Sequence, residues 1–159
     1  NRNSYDISST VSQGARAWLS LHRHKELEDN TLSTIDELRR AGYRIIATTP
    51  HTNDVLLDEL DLEKGKMAFF FGTELTGLSS TVIDQADEFV KVPMYGFTES
   101  LNVSVCAALI MYSVTQRLRQ SSLDWHLSGK RKDEVFLQWY KHTVKASAEI
   151  LERFNGVEK

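Results

Sequence analysis

The sequence predicts an α/β domain, a mostly parallel sheet flanked by helices, and three observations carry that expectation. Short β-rich runs at Tyr43–Thr49, Met67–Phe71 and Glu88–Val92 alternate with segments of helical periodicity. The middle run, MAFFF, is apolar at successive positions instead of alternate ones, which suits a central strand buried on both faces. The two prolines, Pro50 and Pro93, each follow a strand-like run, where a ring without an N–H stops a ladder.

The elements follow in chain order. Ser8–Ala15 is small and polar and reads as a short helix leading into a strand at Trp18–Leu21. A helix follows, with Thr31 or Ser33 as cap, Leu32, Ile35 and Leu38 on one face, and Gly42 where a left-handed residue closes a helix. Between His51 and Lys66 the Asp and Gly punctuation favours a loop with a short helical turn. A short helix at about Ser80–Ala86 leads to the strand Glu88–Val92. Leu101 to about Arg119 is a strong helix, Ser121–Gly129 a connector, and Lys132–Phe154 a last helix. Its stripe is Val135, Trp139, Thr143, Ala146, Ile150 and Phe154.

A chain of 159 residues with 41% hydrophobic and 26% charged residues supports a single core and is too apolar for a disordered segment. The longest apolar candidate for a membrane span, Val103–Met111, is short and broken by Ser104, so no membrane association is expected. The first residues are polar and carry no signal-peptide pattern. A single cysteine, Cys106, excludes an internal disulfide, fits a reducing compartment, and reads as a small core residue within its helix. His22 and His24 would share a strand face, but no third ligand lies nearby, so no metal site is expected. Net charge is −3, with no global basic signature. Residues 116–159 nevertheless hold nine Lys/Arg against six Asp/Glu, a local +3 that leaves −6 on the remainder.

In parallel α/β sheets, ligands bind beyond the carboxyl ends of strands. Three loops stand there: Thr48–Asn53, Gly72–Ser79 and Pro93–Asn102. The second, GTELTGL, has two glycines that allow backbone N–H groups close to a ligand. It lacks the Lys-Ser/Thr ending of a phosphate-binding P-loop and the glycine spacing of a dinucleotide fingerprint. Taken alone it is a plain strand-to-helix turn. Ser100 and Asn102 open a long helix, where capping competes with orienting a phosphate or ribose.

Together, FFFGTELTGLS and VKVPMYGFTESLNVSVCAALIMYSV closely resemble the second and third motifs of the SpoU (TrmH-like) RNA methyltransferases. The family pattern is an apolar strand, G-x-E-x-x-G-[LI], a helix, a strand ending in I/V-P-M, then S-L-N-V-S-x-A and a helix. IIATTPHTND extends the likeness upstream, and the C-terminal helix extends it downstream. The resemblance implies a C-terminal deep trefoil knot, a homodimer, and S-adenosylmethionine as cofactor. It implies methyl transfer to a ribose 2′-hydroxyl of RNA in the cytoplasm, a guanosine in tRNA before rRNA. The rival from another class is a non-catalytic knotted module for RNA binding or dimerisation.

By position, the resemblance assigns the cofactor to Thr48, Gly72, Glu74, Gly77, Val92, Met94, Gly96 and Leu101, and the chemistry to Glu74, Ser100 and Asn102. Arg117, Arg119, Lys130, Arg131 and Lys132 form the candidate RNA-phosphate patch. It divides the chain into a methyltransferase domain at 1–122 and a helical extension at 123–159. In this family an arginine of a first motif, preceded by an asparagine, acts at the ribose oxygen. Here Arg2 and Arg16 are the early arginines and neither has that context. The resemblance therefore implies that the chain opens after the first strand–helix unit, and that methyl transfer by this chain alone is lost or severely impaired.

Overall fold

The computed structural model describes residues 18–24, 30–50, 54–97 and 100–156. They fall into two compact units: residues 24–124 form one, and residues 18–23 with 125–156 form the other. The expected helix at Ser8–Ala15 and the early arginines, Arg2 and Arg16, lie outside the described residues.

The larger unit contains the sheet. Its elements are α1 (Asn30–Arg40), β1 (Arg44–Thr48), β2 (Val55–Leu56), a 3₁₀ turn (Leu57–Glu59), β3 (Met67–Phe70), α2 (Ser80–Gln85), β4 (Glu88–Lys91) and α3 (Val103–Gln120). The strand order is β2-β4-β1-β3, and every pairing is parallel. This is the expected α/β architecture with one correction: β3 lies at an edge of this sheet, not at its centre. The apolar run reports that both faces are covered. It says nothing about whether both edges are paired.

The two faces show the period of two that strands impose. Ile46 and Val90 point to one side, joining Ile110 and Val114 of α3 and Leu57 and Leu60 of the 3₁₀ turn. Ile45 and Ala47 point to the other, joining Ile35 of α1 and Val82 of α2. In β3, Met67 and Phe69 pack on the first side, and Ala68 and Phe70 on the second. Ile35, Ile45, Ile46, Leu60, Val90 and Ile110 are fully buried, each stabilising the fold by about 1.5–3 kcal/mol relative to exposure.

Local chemistry sets the ends of the elements. α1 closes at Gly42, whose φ of +82° suits glycine, while the Tyr43 N–H returns to the Leu38 carbonyl at 2.9 Å. At the opposite end, α1 includes Thr31 and Ser33, so neither is its cap. The Ser79 hydroxyl caps α2 by accepting the Val82 N–H. Polar groups tie the elements across the sheet: Asp87 accepts the Ile45 N–H at 2.7 Å, and half-buried Arg44 pairs with Glu88 while donating to the Asp61 carbonyl.

The smaller unit differs from the sequence expectation in two ways. Trp18–Leu21 forms no strand; instead Trp18 stands edge-on to Trp139, with centroids 5.2 Å apart. The single last helix is two, α4 (Gly129–Thr143) and α5 (Ser147–Gly156). The break lies at Ala146, whose φ of +58° leaves the helical region and interrupts the apolar stripe midway. Among the described residues no helix is long and apolar enough to cross a membrane.

Candidate functional site

The carboxyl ends of β1, β3 and β4 converge on one cavity of about 260 Å³. Thr48, Thr49 and Pro50 follow from β1. Phe71, Gly72, Thr73, Glu74 and Gly77 follow β3. Val90, Val92 and Met94 come from β4 and the loop after it. Ser100 and Leu101 precede α3, and Val103, Cys106 and Ile110 of α3 complete the wall. Parallel strands make this convergence automatic, because all their C-terminal ends face the same way.

The loop after β3 is a tight closed hairpin. Thr73 and Gly77 exchange both backbone hydrogen bonds, N–H to carbonyl, at 2.9 and 3.0 Å. Inside it the Thr73 and Thr76 hydroxyls meet at 2.7 Å, and Thr73 Oγ1 also accepts the Thr76 N–H. Two glycines permit it for different reasons. Gly77 takes a φ of +67°. Gly72 faces the returning strand so closely that a Cβ there would sit 2.2 Å from the Gly77 carbonyl carbon. Sequence reasoning found both glycines through the motif; only the coordinates distinguish the turn from the close approach.

The opening of α3 supplies the facing wall. Asn102 is the helix cap: its Oδ1 accepts the Ser104 N–H at 2.9 Å and the Ser104 hydroxyl at 2.6 Å. The other end of the same amide donates to Glu74 Oε1 at 3.3 Å, joining the helix opening to the hairpin. Thr48 Oγ1 donates to the Phe70 carbonyl at 2.8 Å, which fixes its side chain at the β1–β3 seam. Thr49 bonds to Asp54 and, through its N–H, to the Val90 carbonyl.

Of the residues singled out in the sequence, Thr48, Gly72, Glu74, Gly77, Val92, Met94, Ser100 and Leu101 line this one cavity. Asn102 stands behind Glu74 and outside the lining, and Gly96 lies outside it in a turn at φ +125°. The lining also takes in Thr49, Pro50 and Thr73 from the loops already singled out, and Phe71, Val90, Val103 and Ile110, which sequence reasoning missed. That reasoning placed Cys106 only in the core, whereas that residue both packs on the core and lines the cavity. Burial pushes the Cys106 thiol pKa up. Cys106 stands where the S-L-N-V-S-x-A pattern has alanine.

Among the described lining residues, the ionisable side chains are Glu74 and Cys106, and none is cationic. Apolar side chains, hydroxyls and one exposed carboxylate suit a ligand with a flat heteroaromatic part and a positive centre.

The five basic residues differ in their local surroundings. Arg117, half-buried on α3, donates to the Leu57 carbonyl at 2.8 Å and also to the Leu60 carbonyl, so its guanidinium anchors the 3₁₀ turn. Arg119 is exposed on the same helix. Lys130, Arg131 and Lys132 are exposed at the start of α4, in the other unit. There Arg131 pairs with Glu134, and Lys132 lies 5.6 Å from the centre of the Phe136 ring.

Comparison with known proteins agrees with the motifs. The model of the SpoU rRNA Methylase family matches residues 3–112. A tRNA (guanosine(18)-2′-O)-methyltransferase of Borreliella burgdorferi is 42% identical over 144 residues, covering 91% of this chain and 64% of its own length. The protein of the same name from Escherichia coli K12 is 32% identical, over 72% of this chain and 47% of its own. The chain thus spans less than two thirds of these relatives. Among solved structures, the Aquifex aeolicus TrmH/SpoU tRNA modifying enzyme superposes with a TM-score of 0.68 at 26% identity, covering 88% of this chain and 70% of that one. With the two loop motifs joined around one cavity and the family model spanning most of the sequence, the chain belongs to the SpoU methylase family.

Proposed function

We propose that the cavity binds S-adenosylmethionine and that the protein methylates the 2′-hydroxyl of a guanosine ribose in tRNA. The observation that carries this is the meeting of the Gly72–Gly77 hairpin, the Val92–Met94 segment and the Ser100–Leu101 helix approach around one space. When bound, the cofactor supplies an activated sulfonium methyl, so the protein needs only to align and deprotonate the acceptor. Val92, Met94, Leu101 and Ile110 offer apolar surface for the adenine. The Thr48 and Ser100 hydroxyls and the backbone of the hairpin offer polar contacts, with Gly96 shaping the loop beyond Met94. The Glu74 carboxylate, with no cation beside it in the described lining, favours a positive ligand.

Glu74, Ser100 and Asn102 are the proposed reaction-centre residues. Relatives named for tRNA favour that substrate over rRNA. Arg119, Lys130, Arg131 and Lys132 are the proposed phosphate contacts, and Arg117 belongs with them only as far as its carbonyl bonds allow. The domain reading of 1–122 and 123–159 and a cytoplasmic location belong to the same proposal. So does a trefoil knot. Its support is the resemblance of the two loop motifs to those of the knotted family.

A homodimer is also proposed. α3 is apolar on two sides: Cys106, Ile110, Val114 and Leu118 pack on the core, while Val105, Leu109 and Tyr112 form an exposed stripe opposite. Tyr112 is 68% exposed, and an exposed apolar stripe of this kind supports a protein interface here.

Isothermal titration calorimetry with S-adenosylhomocysteine tests the core claim. Saturable binding, weakened at least tenfold by Leu101→Asp, is the expected result. A chain that binds a tRNA transcript with no affinity for S-adenosylhomocysteine would instead be a knotted RNA-binding module.

A further inference from the structure

Asn102 serves two groups at once, and the chemistry of its amide decides which end faces which. The Ser104 N–H can only donate, so it requires the amide oxygen, and it finds Oδ1 at 2.9 Å. The Ser104 hydroxyl donates to the same oxygen at 2.6 Å. With its acceptor end occupied twice by one residue, the amide must turn its NH₂ outward, where Glu74 Oε1 accepts it at 3.3 Å. The reversed amide would set an oxygen against a carboxylate and an NH₂ against a backbone donor.

We propose that Ser104 is a positioning residue: its N–H sets the orientation of the Asn102 amide, and its hydroxyl, a second donor on the same oxygen, tightens that hold. By holding the Asn102 amide in one orientation it holds Glu74, and with Glu74 the Gly72–Gly77 hairpin, against the opening of α3 across the cavity. Ser104 lies outside the cavity lining and acts only through Asn102. The inference rests on the cofactor reading for its consequence, and on the hydrogen bonds alone for its mechanism. It separates two duties that one asparagine combines: capping a helix, which aspartate does equally well, and donating to Glu74, which aspartate cannot do.

The test is amide hydrogen exchange, residue by residue, in the full chain, with calorimetry on the same samples. The reporting amides are those of Thr73, Thr76 and Gly77, each bonded within the hairpin, and of Cys106, bonded to the Asn102 carbonyl. In Ser104→Ala, exchange of the hairpin amides should quicken about three- to tenfold, the loss of one ordinary hydrogen bond. Ser104→Thr, which keeps the hydroxyl, should restore wild-type rates. In Asn102→Asp the hairpin amides should quicken while the Cys106 amide stays protected, because the cap survives. S-adenosylhomocysteine affinity should fall in Ser104→Ala and Asn102→Asp by a similar factor and hold in Ser104→Thr. Hairpin exchange unchanged in Ser104→Ala overturns the positioning role whatever the cofactor result. So does equal quickening at Cys106 in Asn102→Asp, which would reduce both residues to helix caps. A wild-type chain without affinity for S-adenosylhomocysteine overturns the cofactor reading instead, and the exchange rates then still decide the role of Ser104.

Discussion

Gly72→Ala is the smallest change that should disable the site while leaving the fold intact. The added Cβ would lie 2.2 Å from the Gly77 carbonyl carbon, 2.5 Å from the Leu78 nitrogen and 2.7 Å from the Gly77 Cα, all backbone atoms that cannot swing aside. Ordinary contact begins at 3.4 Å, so the returning strand must retreat by about 1.2 Å. The Thr73–Gly77 pair, now at 2.9 and 3.0 Å, would open to roughly 4 Å and both bonds would be lost. At about 0.5–1.5 kcal/mol each, the hairpin is destabilised by about 1–3 kcal/mol. Most of that loss stays local, since Thr73–Gly77 is exposed and the core residues lie elsewhere. Gly77→Ala is the matched control. Nothing lies within 4 Å of its added Cβ, so only the left-handed backbone at φ +67° resists, at about 1 kcal/mol. The assay is S-adenosylhomocysteine calorimetry beside thermal melting. Gly72→Ala should reduce affinity by about ten- to a hundredfold with little change in melting temperature, and Gly77→Ala by severalfold at most. If Gly72→Ala binds like wild type, the hairpin is not a wall of the ligand site and the reasoning fails.

Five further outcomes are expected. Arg117→Met leaves two half-buried carbonyls without their charged donor and should cost about 2–3 kcal/mol, a fall in melting temperature of roughly 10 °C by calorimetric scan. Burial holds the Cys106 thiol pKa up, so iodoacetamide should alkylate it more slowly than free cysteine at every pH below its raised pKa, and S-adenosylhomocysteine should slow it further. The same shift makes the neutral thiol favour folding below the ordinary thiol pKa, a contribution lost as pH rises through the folded value; Cys106→Ala should remove that alkaline step from a plot of stability against pH. Replacing Lys130, Arg131 and Lys132 together by alanine should weaken tRNA binding and flatten its dependence on log salt by about 2–3 in slope. Leu109→Glu, on the exposed stripe of α3, should convert a dimer to monomers by light scattering without unfolding the chain.

Much of the architecture was legible because alternation and punctuation are local. Gly42, Pro50 and Pro93 mark real ends, and the mixed apolar run at Met67–Phe70 does lie between two cores. Its place at the sheet edge was not legible, since residues on a strand record what covers its faces and not what pairs with its backbone. The two-residue β2 was invisible for a related reason: Val55–Leu56 is too short to show any period. The break at Ala146 escaped because alanine is the best helix former, and nothing in its chemistry announces a left-handed backbone.

The site divides along the same line. Eight of the residues singled out by backbone shape or motif position line the cavity. Residues that line it as ordinary core members, such as Val90 and Ile110, carry no signal, because they are simply apolar on the face that reaches the cavity. Charge was the least informative. Arg117 and Arg119 lie two positions apart with the same side chain, yet one is folded onto carbonyls of a 3₁₀ turn and the other is exposed. A helix turns 100° per residue, so two positions separate a half-buried flank from a solvated one. Any claim that a basic cluster contacts nucleic acid must therefore begin by removing the cations that the fold itself employs. Here that step reduces the five basic residues to Arg119 on α3 and the Lys130–Lys132 turn of α4, which is where phosphate contacts should be sought first.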